Sequence, residues 1–185
     1  MIAAMAGLIA MLCLLFAVPD RRLAIDPAHS LVTATVSFFG FARKTARFPK
    51  VEGSADVVGD DVRLDVRLDA AALVAPDSVT ERRLKGEDFF DVARHPIVRF
   101  VGSGLRATGS AAGTIEGSVI ARGVGRPARL YVRFSRPIET LAAGGAFHVS
   151  AVTEIDRRDF GMTAYPLIVG GRVRIAIEAD LQPSG

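Results

Sequence analysis

Asp61-Val-Arg-Leu-Asp-Val-Arg-Leu-Asp69 alternates charged and aliphatic side chains without a fault. Successive side chains of a strand point to opposite faces. Val62, Leu64, Val66 and Leu68 therefore share one face, and Asp61, Arg63, Asp65, Arg67 and Asp69 share the other. That is the pattern of an antiparallel strand with one side on a core and the other in water.

The same period recurs on both sides of this stretch. Upstream, Val32, Ala34, Val36 and Phe38 oppose Thr33, Thr35 and Ser37, and Gly40 ends the run. A less regular strand follows over 47–58, interrupted by Pro49 and Gly53. Downstream, strands are expected over 97–102, 113–121, 128–135, 147–155 and 172–181. In the third of these, Ala128, Leu130, Val132 and Phe134 oppose Arg129, Tyr131, Arg133 and Ser135. Glycine-rich breaks separate the strands at 102–113, 123–126, 144–145 and 170–171. Eight such strands with short links predict an all-β fold, an eight-stranded up-and-down antiparallel β-barrel. Closure removes exposed edges. Eight is also the strand number at which a barrel either fills with its own side chains or holds one small ligand.

One segment departs from the period. Pro76-Asp77-Ser78 is a helix start signal, and Glu81, Arg82, Arg83, Leu84, Lys85 and Glu87 are good helix formers. Phe89 and Phe90 close the segment, and Pro96 biases His95 to an extended conformation. A short helix over 78–90 is expected to act as a lid or plug over the barrel.

Alternation does not say which face is inside, and a membrane barrel puts the apolar face outward. This chain has no Trp and two Tyr, so the interfacial aromatic girdles of such a barrel are missing. Opposite charges at close spacing on the polar faces also suit water. The apolar face is therefore read as the lining. With 50% hydrophobic residues the chain can build a sizeable core. The net charge of +3 is spread along strands, and without a basic patch a nucleic-acid partner is excluded.

Met1 to Val18 is apolar and stops at Pro19-Asp20-Arg21-Arg22. It is read as a signal segment over 1–19, or as an uncleaved anchor, ahead of a single domain over 23–182. It is atypical, because no Lys or Arg precedes it and Arg21 and Arg22 follow it. Cys13, the one cysteine, falls in this segment, so the body has no disulfide and no thiol nucleophile. His29, His95 and His148 are the only histidines, and no short His-x-His spacing links them. No metal, cofactor or catalytic residue is expected. Asp88 and Asp91 are read as capping the helical segment. Asp156, Arg157, Arg158 and Asp159 are read as a charge network at a barrel rim.

Four motifs carry a resemblance. Ile25-Asp-Pro-Ala-His-Ser30 resembles the opening motif of the YceI family. Asp88-Phe-Phe-Asp-Val92, with Pro96 and Phe100, resembles its central motif. Gly123-Val124 with Pro127 resembles its turn, and Asp159-Phe-Gly-Met162 with Pro166 its terminal motif. They occur in order from Leu23 to Leu181. The resemblance implies an extended, lipocalin-like barrel that is periplasmic or secreted. It also implies a bound polyprenyl or ubiquinone-type isoprenoid lipid in an apolar interior. Three departures bear on the ligand. Phe38 stands where the family often has His, Asp156 where Asn is common, and Arg83 where a His precedes Leu. Arg83 exchanges a titratable group for a permanent cation.

The residues expected to touch the lipid are Phe38, Phe41, Phe89, Phe90, Phe100, Val132, Phe134, Phe147 and Val149. Each would serve equally as ordinary barrel core. The expected function is a non-catalytic isoprenoid carrier, with passing membrane contact and a homodimer both left open. The alternatives are an enzyme on an apolar substrate, with His29 or His148 as acid/base, and a ligand-free barrel that binds another protein.

Overall fold

The computed structural model describes residues 21–58, 61–141, 143 and 145–184. The leader reading over 1–19 lies outside the described residues. The strands are β1 (Arg21–Ile25), β2 (Leu31–Phe38), β3 (Ala42–Phe48), β4 (Val51–Val58), β5 (Asp61–Asp69), β6 (Ile97–Gly109), β7 (Ala112–Ala121), β8 (Val124–Phe134), β9 (Phe147–Asp156) and β10 (Val169–Pro183). Among the described residues one α-helix, α1 (Ser78–Lys85), lies between β5 and β6.

These segments form eight staves of a closed antiparallel barrel. The first stave is β1 and β2 together, since both pair with β10: Ile25 lies opposite Leu181 and Leu31 opposite Glu178. Asp26 breaks it. Its carboxylate accepts the Ala28 N–H at 2.9 Å and holds a one-turn 3-10 helix, Pro27–His29, between the halves. The second stave is β3, paired with β2, and β4, paired with β1. Pro49 stands at its break, where a missing N–H would otherwise leave a hole in the ladder. From β4 the pairing runs β5, β6, β7, β8, β9, β10, and β1 joins β4 to β10 to close the ring.

The apolar faces point inward. Val62, Val66, Ile115, Val119, Leu130, Val132 and Ala151 are buried, while Arg63, Arg67, Arg129 and Arg133 are exposed. Each buried Val, Ile or Leu stabilises the fold by roughly 1.5–3 kcal/mol. On the outer face Arg99 of β6 holds Asp65 of β5 by two bonds of 2.7 and 2.6 Å. This pairing keeps the Asp65 carboxyl below its usual range.

Several boundaries differ from the sequence reading, among them β8, which begins at Val124 inside the break expected at 123–126, and β10, which begins at Val169 and runs through the break expected at 170–171. β3 begins at Ala42 rather than near Arg47, because the second stave folds back from a tight turn at 39–41. β6 runs on to Gly109 through the expected break, with register shifts between Ser103 and Arg106 and between Ala107 and Gly109. Bulges of this kind let an irregular glycine-containing segment stay paired. The helix ends at Lys85 rather than 90. Gly86 turns its N–H to the carbonyls of Arg82 and Arg83, both at 3.1 Å, and the two phenylalanines fall in the turn that follows.

Candidate functional site: an apolar pocket beneath the helix

β3 has a partner on one side only, β2. Among the described residues its other side is met by one bridge, in which Arg47 exchanges backbone hydrogen bonds of 2.8 and 2.9 Å with Val74. The segment from Ala70 to Pro96, carrying α1, covers this gap. Asp77 caps the helix, accepting the Thr80 N–H and the Thr80 hydroxyl, each at 2.8 Å. Those two bonds, with Lys44 nearby, hold the Asp77 carboxyl down at about 2. Glu81 and Lys85 bridge one helical turn at 2.7 Å. Beyond Gly86, the N–H groups of Phe90, Asp91 and Val92 bond back to Leu84, Gly86 and Lys85 at 2.8–3.0 Å. This folded turn fixes both phenylalanine rings.

Between this cover and the barrel lies a pocket of about 390 Å³. β2 contributes Ala34, Val36 and Phe38, and β3 contributes Ala46. The cover contributes Val79, Leu84, Phe89 and Phe90, and the loop before β10 contributes Met162, Tyr165 and Ile168. The size lies toward the lower end of small-molecule sites. The wall is overwhelmingly apolar. Its polar groups include Lys44, Arg83, Thr45, Thr80 and Arg157, and no carboxylate is among them. Lys44 Nζ sits 5.6 Å from the Phe38 ring centre, and the Arg83 guanidinium 5.3 Å from that of Tyr165. Both cations therefore lie against aromatic faces at the mouth.

The floor depends on Arg157. It is 4% exposed. Its Nε donates to the Gly170 carbonyl at 2.9 Å, one terminal nitrogen to Val169 at 2.8 Å, and the other to Met162 at short range. Its guanidinium lies 5.6 Å from the Phe89 ring centre, and Phe89 stacks with Tyr165 at 6.2 Å. Desolvation lowers its pKa, as burial disfavours any charge. Arg157 thus ties Met162, in the loop before β10, to Val169 and Gly170 at the start of β10, and supports the pocket wall.

The rim network expected at 156–159 resolves differently. Arg158 pairs with Asp156 in the open, and its guanidinium is the main reason the Asp156 carboxyl falls to about 2. Arg157 turns inward to carbonyls instead. Sequence reading grouped the two by charge. The signal for their separation is the irregular, Gly- and Pro-containing loop after Phe160, whose buried carbonyls need a donor with several N–H groups.

The residues expected to line the site divide into three sets. Phe38, Phe89 and Phe90 are on the pocket wall. Phe100, Val132, Phe134, Phe147 and Val149 lie inside the barrel but off that wall, within the packed core. Phe134 and Phe147 meet edge to face at 6.1 Å, which fills the space between them. Phe41 is 87% exposed at the tip of the β2–β3 turn, outside the pocket. Ala34, Val36, Tyr165 and Met162 are wall residues that the sequence reading did not select. The even-numbered period of β2 pointed to the first two.

None of the three histidines lines the pocket. His29 bonds Asp26 at 2.9 Å on the exterior. His95 lies beside the Gly123 turn. His148 is clasped on the outer face between Asp180, at 2.6 Å, and Glu178, at 2.8 Å. No cluster among the described residues is disposed to hold a metal ion. Asp180 first, then Glu178, raises the His148 pKa. The folded value exceeds the unfolded one, so this stabilisation is complete below the ordinary histidine pKa. It is lost as pH rises through the folded value. The group is nearly half exposed, so the effect is at most about 0.5 kcal/mol. Chemical-denaturation midpoints taken across neutral pH should fall with rising pH in the native chain, and less so in His148→Gln.

The YceI-like domain model matches residues 23–181. The chain belongs to the YceI-like family. Two of the four family motifs meet at the pocket: the central one supplies Phe89 and Phe90, and the terminal one Met162. Curated relatives are "UPF0312 proteins". That of Azotobacter vinelandii is 24% identical over 137 residues, covering 72% of this chain and 71% of the relative. That of Pseudomonas savastanoi pv. phaseolicola is 23% identical over the same span. Among solved structures, Burkholderia cenocepacia BcnA superposes with a TM-score of 0.74 at 19% identity, covering 84% of this chain and 98% of that one. A polyisoprenoid binding domain from Saccharophagus degradans, implicated in plant cell wall breakdown, gives 0.65 at 13% identity, with 88% and 98% covered. At these identities the likeness is one of fold.

Proposed function

We propose that this protein is a non-catalytic carrier of an isoprenoid lipid, of polyprenyl or ubiquinone type, acting as a secreted or periplasmic protein. The observation that carries the reading is an apolar pocket walled by family-motif residues, with cations at its mouth and no carboxylate on its wall. An apolar chain gains about 25 cal/mol for each Å² it buries there. Lys44 and Arg83 are placed to meet a polar head, and the aromatic rings beneath them to meet the first carbons of the tail. The polyisoprenoid-binding description of the Saccharophagus domain supports the ligand class. The apolar leader is the support for export.

Organic extraction of purified protein followed by mass spectrometry tests the proposal. Co-purification of an isoprenoid is the expected result. Protein that is empty and refuses both prenyl alcohols and quinones would overturn it. The recovered mass also reports on chain length.

Filling the pocket from within gives a direct check. Val36 lines it and is half-buried. Val36→Trp puts an indole where the lipid would lie, and should lower lipid loading by about tenfold or more with little change in melting temperature.

A further inference from the structure

The two most exposed large apolar side chains among the described residues, Leu167 and Phe41, lie on loops beside the pocket. Phe39 and Phe41, in the β2–β3 turn, are 53% and 87% exposed, and Leu167 is 94% exposed. The two loops that carry them are joined, since the Phe39 N–H donates to the Ile168 carbonyl at 2.8 Å. Phe39 and Tyr165 both have positive φ, 52° and 53°. That region is rare for bulky residues, and each such residue costs of order 1–3 kcal/mol. Asn before Gly40 would make the same turn more cheaply. The strained backbone sets the Phe39 ring edge-to-face on Phe38, 4.6 Å between ring centres, and lays Tyr165 parallel to Phe89, so both rings frame the pocket beside the exposed tips. Contiguous exposed apolar surface of this kind marks an interaction site.

The surroundings identify the occupant. Arg43 is exposed one residue from the β2–β3 turn, and Lys44 and Arg83 stand at the mouth against aromatic rings. Asp77, bonded to Lys44, is the carboxylate in contact with one of these cations. Apolar tips within a collar of Lys and Arg match a bilayer surface with anionic headgroups, where rings enter the acyl boundary and cations stay among the phosphates. The tip also borders the pocket, since Phe39 and Tyr165 belong to both. We infer that the β2–β3 turn and the 165–168 loop dock the protein on an anionic phospholipid bilayer, with the pocket mouth facing the lipid. The inference rests on the carrier reading for its purpose, while the docking itself has a separate readout.

Phe41 and Leu167 do not line the pocket, so Phe41→Ser with Leu167→Ser removes the tip and spares the cavity. The full chains, which share the same leading segment, are floated with vesicles of phosphatidylglycerol and phosphatidylcholine in equal parts, and with phosphatidylcholine alone. The native chain should bind the anionic vesicles, and the double variant about tenfold or more weakly. Binding should weaken with added salt and with Arg43→Glu. Because the native chain has no Trp, Phe41→Trp supplies a single reporter, whose emission should move to the blue on vesicle addition. Equal flotation of native and double-variant chains, or an unmoved emission, would overturn the inference. Self-association that the double variant abolishes, with no vesicle binding, would assign the tip to a second copy and overturn it equally. Loading of a prenyl lipid from detergent tests the pocket alone. It should survive in the double variant, so failure of docking and failure of the carrier reading are separate results.

Discussion

Arg157→Met should lower the unfolding free energy by about 3–5 kcal/mol, read from urea denaturation. The side chain is fully enclosed and donates to three backbone carbonyls, those of Met162, Val169 and Gly170. Methionine fills much of the volume but supplies no N–H group, so those carbonyls lose a charged donor inside the protein. Hydrogen bonds to charged groups are worth about 1.5–3 kcal/mol each, and the release of a desolvated cation offsets part of the sum. The loop after Met162 and the start of β10 also form one wall of the pocket, so lipid loading should fall with stability. Arg158→Met is the matched control. It carries the same charge one position away, but its pair with Asp156 lies in water, and the expected change is under about 1 kcal/mol. Equal losses in the two variants would show that the inward path of Arg157 is wrong.

Val132→Asp should be at least as damaging, by about 4 kcal/mol or more, whereas Arg133→Asp should stay within about 0.5 kcal/mol of the native chain. Val132 is 3% exposed and lies opposite Gly113 on one side and Ala151 on the other. A carboxylate there has neither water nor a partner cation. Arg133 points outward from the next position on the same strand. Thermal melts of the two variants compare the faces of β8 directly, and similar melting temperatures would invert the assignment of inside and outside.

The barrel was legible because its signal is repeated. Most staves carry their own period of two, so an error in one does not disturb the rest. The unequal parts of the chain were harder to read. Ala42 to Arg47 holds three cations among small residues, and its membership of the sheet comes from the partner strand β2, not from its own pattern. The pocket posed the same difficulty. Periodicity says that Phe38 and Phe134 both face inward, but not that one looks into open space and the other into Phe147. Which side chains leave a void depends on how staves at different heights are covered, and that is set by the helix, the turn after it and the loop held by Arg157. Phe41 shows the limit most plainly. It continues the Phe-rich run of β2, yet the turn at Phe39 and Gly40 sends it into solvent.

The single bridge between Arg47 and Val74 has a mechanical consequence. Separating any other two neighbouring staves means unzipping a ladder, but at this seam two backbone hydrogen bonds hold the flank. In backbone pairing the barrel is thinnest along the line where the cavity lies, and side chains, Lys44 on Asp77 and Phe48 on Phe90, supply the rest of the seam. On the carrier proposal, parting that one clasp would widen the cavity sideways while the remaining walls stay folded.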